Sequence, residues 1–109
     1  MTRKNKLSGT TYQTKTGCGN LYVTINEDVG NPIEVFATMG KAGGCAASQI
    51  ESIARLISLS LRNKIQISDI VKQMIGIRCY SGVFVNNEEV LSCSDAIAKV
   101  LKKYIQEKK

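Results

Sequence analysis

The sequence predicts an α+β fold, a small antiparallel sheet packed against about three helices in a single domain. Three observations carry this. Apolar residues alternate with polar ones around Leu21, Val23 and Ile25 and again around Ile33, Val35 and Ala37, which is the period of a strand with two unlike faces. The period then lengthens to that of a helix at Ile50, Ile53, Ala54, Ile57 and Leu61, and again at Ile97, Val100, Leu101, Tyr104 and Ile105. With 109 residues, 43% hydrophobic and 22% charged, the chain suits one domain with its own core.

The elements follow in order. Residues 1–9, with Arg3, Lys4 and Lys6, read as a flexible basic arm, and residues 10–109 as the domain. "TTYQTKTGCGNLYVTINED" is rich in the Thr, Tyr, Val and Ile that favour strands. "EDVGNP" punctuates it as a turn, and "IEVFATMG" alternates again, with Glu34, Phe36 and Thr38 on the outer face; the pair predicts an antiparallel hairpin. In the first helix Leu56 and Leu59 widen the apolar stripe, so burial on more than one side is expected. Ser48 and Glu51 have the spacing of a capping box, although a start near Gly44 fits as well. Ser68 is placed to cap a second helix that Gly76 ends. "GVFVNNEEVLS" predicts two short strands about Asn86 and Asn87, and a last helix follows with Asp95 in its first turn.

Composition narrows the function. No apolar run approaches the roughly 20 residues that span a bilayer, and the basic start lacks the apolar core of a signal peptide. A cytoplasmic location is therefore expected, without a membrane partner. Thiols stay reduced there, which favours ligand or packed roles for the four cysteines over disulfides. Trp is absent and aromatics make up 6%, too few for a base-stacking platform. The net charge of +6 is partly terminal, and solvated tails explain it as well as phosphate attraction does; nucleic-acid binding is the weakest reading.

Cys18, Cys45, Cys79 and Cys93 each sit at an element boundary beside small or turn-forming residues. Cys45 and Cys93 precede helices, whose N-terminal N–H groups favour thiolate. Four thiolates suit tetrahedral zinc, with an iron–sulfur cluster as the lesser alternative; the chain has no histidine, so all-sulfur ligation is the natural option. The spacing contains no CxxC knuckle, and packed thiols remain the competing reading. "GKAGG" runs into the first helix. Its backbone offers N–H groups to an anion and Lys41 adds charge, giving a candidate phosphate or nucleotide site of Gly40, Lys41, Ala42, Gly43, Gly44, Ser48 and Arg78, with Lys72 beside it if the fold allows. The lysine precedes the paired glycines, unlike a P-loop, and a plain strand-to-helix turn explains the same residues.

Four blocks, "TGCGNLYVTINED", "PIEVFATMGKAGGCAASQIESIARLISLSLR", "IVKQMIGIRC" and "VLSCSDAIAKVL", run in order from residue 16 to 101. Together they resemble the TSCPD domain, the module at the carboxyl end of adenosylcobalamin-dependent (class II) ribonucleotide reductases, which also occurs as short free-standing proteins. The namesake block departs from the pattern, reading Leu91, Ser92, Cys93, Ser94, Asp95. The resemblance implies that the four cysteines belong together as one metal site, since each occupies a family cysteine position. It implies no reductase activity and no cobalamin on this chain alone, because the reductase barrel, radical cysteine and cofactor site lie outside this module.

Two functions are thus expected. The first is a non-enzymatic accessory module, metal-stabilised through its cysteines, that binds a reductase, another protein or itself. The alternative is a nucleotide-binding sensor or sponge working through the glycine segment.

Overall fold

The alternation at Leu21, Val23 and Ile25 belongs to the central strand of a three-stranded sheet. The computed structural model describes residues 5–17, 19–40, 44–79, 82–85 and 87–108, without the side chains of 44–46 and 85. In it β1 runs Ser8–Thr16, β2 Gly19–Asp28 and β3 Asn31–Met39, antiparallel and in the order β1-β2-β3. β1 takes in Ser8 and Gly9 from the expected arm, of which residues 1–4 lie outside the description. The predicted hairpin is β2–β3. Its two-residue loop, Val29 and Gly30, holds both residues at positive φ (52° and 78°), as the twist of a tight hairpin demands. Gly30 adopts this freely, whereas the β-branched Val29 is strained there.

Helix α1 spans Gly44–Arg62, α2 Ile67–Met74 and α3 Cys93–Glu107; the short strands β4 (Val83–Val85) and β5 (Glu88–Val90) form the second predicted hairpin. All three helices lie on one face of the sheet. α1 follows β3, α3 crosses β1 and β2, and α2 packs on α3. The core between them is the predicted set: Leu21, Val23, Ile25 and Val35 from the sheet against Ile50, Ile57, Ile97 and Leu101 from the helices. Among the described residues no helix covers the opposite face, and Phe36 is half exposed on it.

Four local expectations are corrected. Leu56 and Leu59 are not buried (63% and 58% exposed), because α2 packs on α3 and leaves the far side of α1 uncovered. Leu56 instead lines an apolar groove with Ile65, Ile70 and Ile77. Ser48 is not the N-cap position: α1 takes the earlier of the two expected starts, at Gly44, which puts Ser48 inside the helix, and Glu51 pairs with Arg55 one turn on (2.8 Å). Ser68 lies inside α2, whose N-cap is Gln66 without a side-chain cap bond. Glu34, expected on the outer face, is buried to 1% exposure. It opposes Asn26 in the β2–β3 ladder, next to a register shift between Asn26 and Glu27, and Arg62 from the end of α1 reaches over it. The buried carboxylate is met by Arg62 at 2.9 Å and by the Asn26 amide at 2.8 Å.

The outer edge of β3 has no strand partner among the described residues, and α1 shields it. The Ser58 hydroxyl accepts from the Val35 N–H (2.9 Å) and donates to the Val35 carbonyl (3.0 Å), closing both ladder groups with one side chain. Ser58→Ala therefore leaves two buried backbone groups unmet and should cost about 1–3 kcal/mol in urea unfolding. Leu56→Ala, on the uncovered side of the same helix, should change stability by no more than about 0.5 kcal/mol.

Candidate functional site

The start of α3 is built around a buried carboxylate. Ser92 is the N-cap: its hydroxyl accepts from the Asp95 N–H at 3.0 Å and donates to the Ile77 carbonyl at 2.6 Å. Asp95 is fully buried. Its two oxygens accept from the Gly76 N–H (2.8 Å) and the Leu91 N–H (3.0 Å), and the Lys99 ammonium lies 3.0 Å away, one turn along the helix. Burial alone would raise the pKa of this carboxyl. The two N–H groups and Lys99 outweigh it and hold the group below its ordinary range. Lys99 also donates to the Glu89 carbonyl and approaches Glu88 at 3.6 Å, so it pins the β4–β5 hairpin as well.

This cluster fixes the chain around Cys79 and Cys93. The Cys79 N–H donates to the Leu91 carbonyl (2.8 Å), two residues before Cys93. Cys93, half-buried, opens α3 and sets its thiol 3.6 Å from the Thr16 hydroxyl at the end of β1, two residues before Cys18. The Thr16 hydroxyl also donates to the Gly19 carbonyl (3.0 Å). On the other flank of Cys18, the Asn20 carbonyl accepts from the Gly40 N–H (2.8 Å), five residues before Cys45. Cys45, expected just before the helix, lies in the first turn of α1. Cys18 itself and the Cys45 side chain lie outside the described residues, and Cys79 is exposed. Among the described residues no three His, Cys, Asp or Glu side chains are grouped to hold a metal.

The candidate anion residues are spread along the chain. Lys41, Ala42 and Gly43 lie outside the described residues, Gly44 begins α1, and Ser48 is exposed one turn later. The Gly40 N–H is taken by Asn20. Arg78 is exposed and paired with Glu89 at 3.7 Å, on the hairpin side of the fold, while Lys72 faces Asp69 at 3.9 Å on α2.

At the far end of α3 a second polar group closes the fold. Glu27 accepts from the Tyr104 hydroxyl and meets Lys108 at 2.9 Å; these two contacts hold its carboxyl below the ordinary range. Burial first, and the Glu27 bond second, push Tyr104 upward. Tyr12 donates to Glu107 (2.6 Å) and is pushed up to about 12 by burial and that carboxylate.

Sequence reasoning missed Ser92, Glu34, Ser58 and Lys99. Ser92 and Asp95 stand at the capping-box spacing, a signal that would have found the pair. Lys99 lies four residues after Asp95, the i, i+4 spacing of a helical ion pair. Glu34 and Ser58 carry no such mark, because their burial depends on the path of α1 beside β3.

Compared with known families, the chain matches the model described as TSCPD domain over residues 1–105, and it belongs to that family. No curated protein and no solved structure matches it. Among the described residues no helix is long and apolar enough to cross a membrane.

Asp95→Asn should destabilise the protein by about 2–3 kcal/mol at pH 7, since the charge-assisted bonds to Gly76, Leu91 and Lys99 weaken together. The folded pKa of Asp95 is depressed, so its contribution is full above the unfolded value of about 4 and is lost as the pH falls through the folded one. The gap between wild type and variant in denaturant unfolding should accordingly narrow below about pH 4.

Proposed function

We propose that this TSCPD-family protein is a non-catalytic accessory module whose cysteine end is closed by a zinc ion on Cys18, Cys45, Cys79 and Cys93. The observation that carries this is the meeting of their flanks. Cys93 touches the end of β1 just before Cys18, Cys79 is bonded to the strand-to-helix link just before Cys93, and the link leading to Cys45 is bonded just after Cys18. The donor set fits the ion: the chain has no histidine, and four sulfurs satisfy tetrahedral zinc. Cys45 and Cys93 lie in the first turns of α1 and α3, where backbone N–H groups favour thiolate. When bound, the ion would supply cross-linking and not chemistry, since all four positions are protein ligands.

The ionisable groups described above serve the frame. Asp95, Glu34 and Glu27 each meet a cation and further hydrogen-bond donors inside the fold, which supports a structural and not an acid–base role. Partner binding, to a reductase chain or to a second copy, would then use exposed surface; the apolar groove of about 470 Å3 between α1 and α2 is suited to it.

Native mass spectrometry against the denatured mass tests the metal directly, and an excess mass of one zinc is expected. Cys93→Ser should release it and lower the thermal midpoint by roughly 10 °C. A bare polypeptide mass together with an unchanged melting curve would sink the proposal.

A further inference from the structure

α3 presents a basic stripe to a concave space that none of the features above uses. Lys99, Lys102, Lys103 and Gln106 follow i, i+3, i+4, i+7 and so share one helix face. That face looks onto Tyr12, Gln13 and Thr14 of β1, the edge strand of the sheet, across a cavity of about 670 Å3. The size is that of small-molecule sites.

The charge balance decides what this space favours. Asp95 is satisfied by Lys99 and two backbone N–H groups. Glu107 is drawn to the Tyr12 hydroxyl and Glu27 to Tyr104 and Lys108. Glu88, the one carboxylate among the lining residues, faces Lys99. Among the described residues Lys102 and Lys103 have no carboxylate within ion-pair distance, although both line the cavity. Lys103 is also held in place, its ammonium 6.0 Å from the centre of the Tyr12 ring. Two adjacent lysines, with no carboxylate partner among the described residues, therefore line a trough between a helix and a strand together with Thr14 and Gln106.

We propose that the trough between α3 and β1 binds a small phosphate-bearing molecule of two or more negative charges, with Lys102 and Lys103 as its charge partners. The glycine segment before α1 takes no part. A small ligand is favoured over a long polyanion, since the trough is closed in by β1 and α3 and Glu88 stands among its lining residues. The proposal does not depend on the zinc site, which lies on the flanks of the cysteines.

Titration of the ¹⁵N-labelled protein with sodium pyrophosphate tests it. Saturable shifts are expected, confined to residues 12–14 and 99–106. Lys102→Glu combined with Lys103→Glu should weaken binding at least about tenfold, because two attractive charges become repulsive. Both side chains are exposed, so the fold should survive, and the unchanged remainder of the spectrum verifies it. Lys64→Glu at the end of α1 and Lys41→Glu in the glycine segment should leave the affinity as it was. Overturning results would be shifts that do not saturate, shifts that follow Lys41, an affinity untouched by the double variant, or a single-stranded oligonucleotide that binds more tightly than pyrophosphate.

Discussion

A charge without water must be matched by donors, and at Asp95 that requirement organises half of the molecule. The carboxylate cannot stay ionised in the interior unless Gly76, Leu91 and Lys99 remain where they are. Gly76 lies at the exit of α2 with φ of 81°, a conformation glycine adopts without penalty. Leu91 lies between β5 and α3, and Lys99 reaches back to the hairpin. One side chain thus fixes the end of α2, the hairpin and the first turn of α3 relative to one another. Replacing its charge loosens all three at once, which no single apolar truncation in the core would do.

The other half follows a different rule. A three-stranded sheet has two open edges and two faces, and the chain has three helices with which to cover them. It puts all three on one face. α1 is set along β3 so that Ser58 can close the Val35 ladder groups, and Arg62 at its last turn meets Glu34. The cost of this economy is visible on the outside: Phe36 on the outer sheet face, and Leu56 and Ile77 on the outer side of the helices, are all left exposed. The β1 edge is handled less completely. α3 crosses near it but leaves the trough lined by Tyr12, Gln13 and Thr14.

What could be read from the sequence follows from the range of the forces involved. Strand alternation and helical stripes are local, so the two hairpins, the three helices and the core from Leu21 to Leu101 were legible. The resemblance to the family was legible for the same reason, as contiguous blocks. Leu56 and Leu59 misled because an apolar residue at helical spacing does not reveal whether a second layer exists to cover it. Ser48 misled because a capping-box spacing recurs by chance inside a helix that already began at Gly44. Glu34 was hidden because its cover, Arg62, lies 28 residues along the chain at the end of α1. At the candidate site, the placing of Cys45 and Cys93 at helix starts was legible to within a residue or two, whereas the bond from Cys79 to Leu91 joins residues twelve apart and had no local sign.

The two ends of α3 show how one helix can serve two unlike environments. Its first turn carries Cys93, Ser92 as cap and Asp95, and there each polar group described is consumed by the frame. Its later turns carry more cations than the frame can use. Lys99 and Lys108 are bound to carboxylates, yet among the described residues Lys102 and Lys103 are not, and Tyr12 draws away Glu107, the carboxylate four residues beyond Lys103. If these lysines served only to keep the surface solvated, nothing in the fold would require Glu107 to be diverted from Lys103 or Tyr12 to sit beneath it. Tyr12 does both, donating to the one and holding its ring under the other, and so it leaves the positive charge of α3 facing a cavity and not an internal partner.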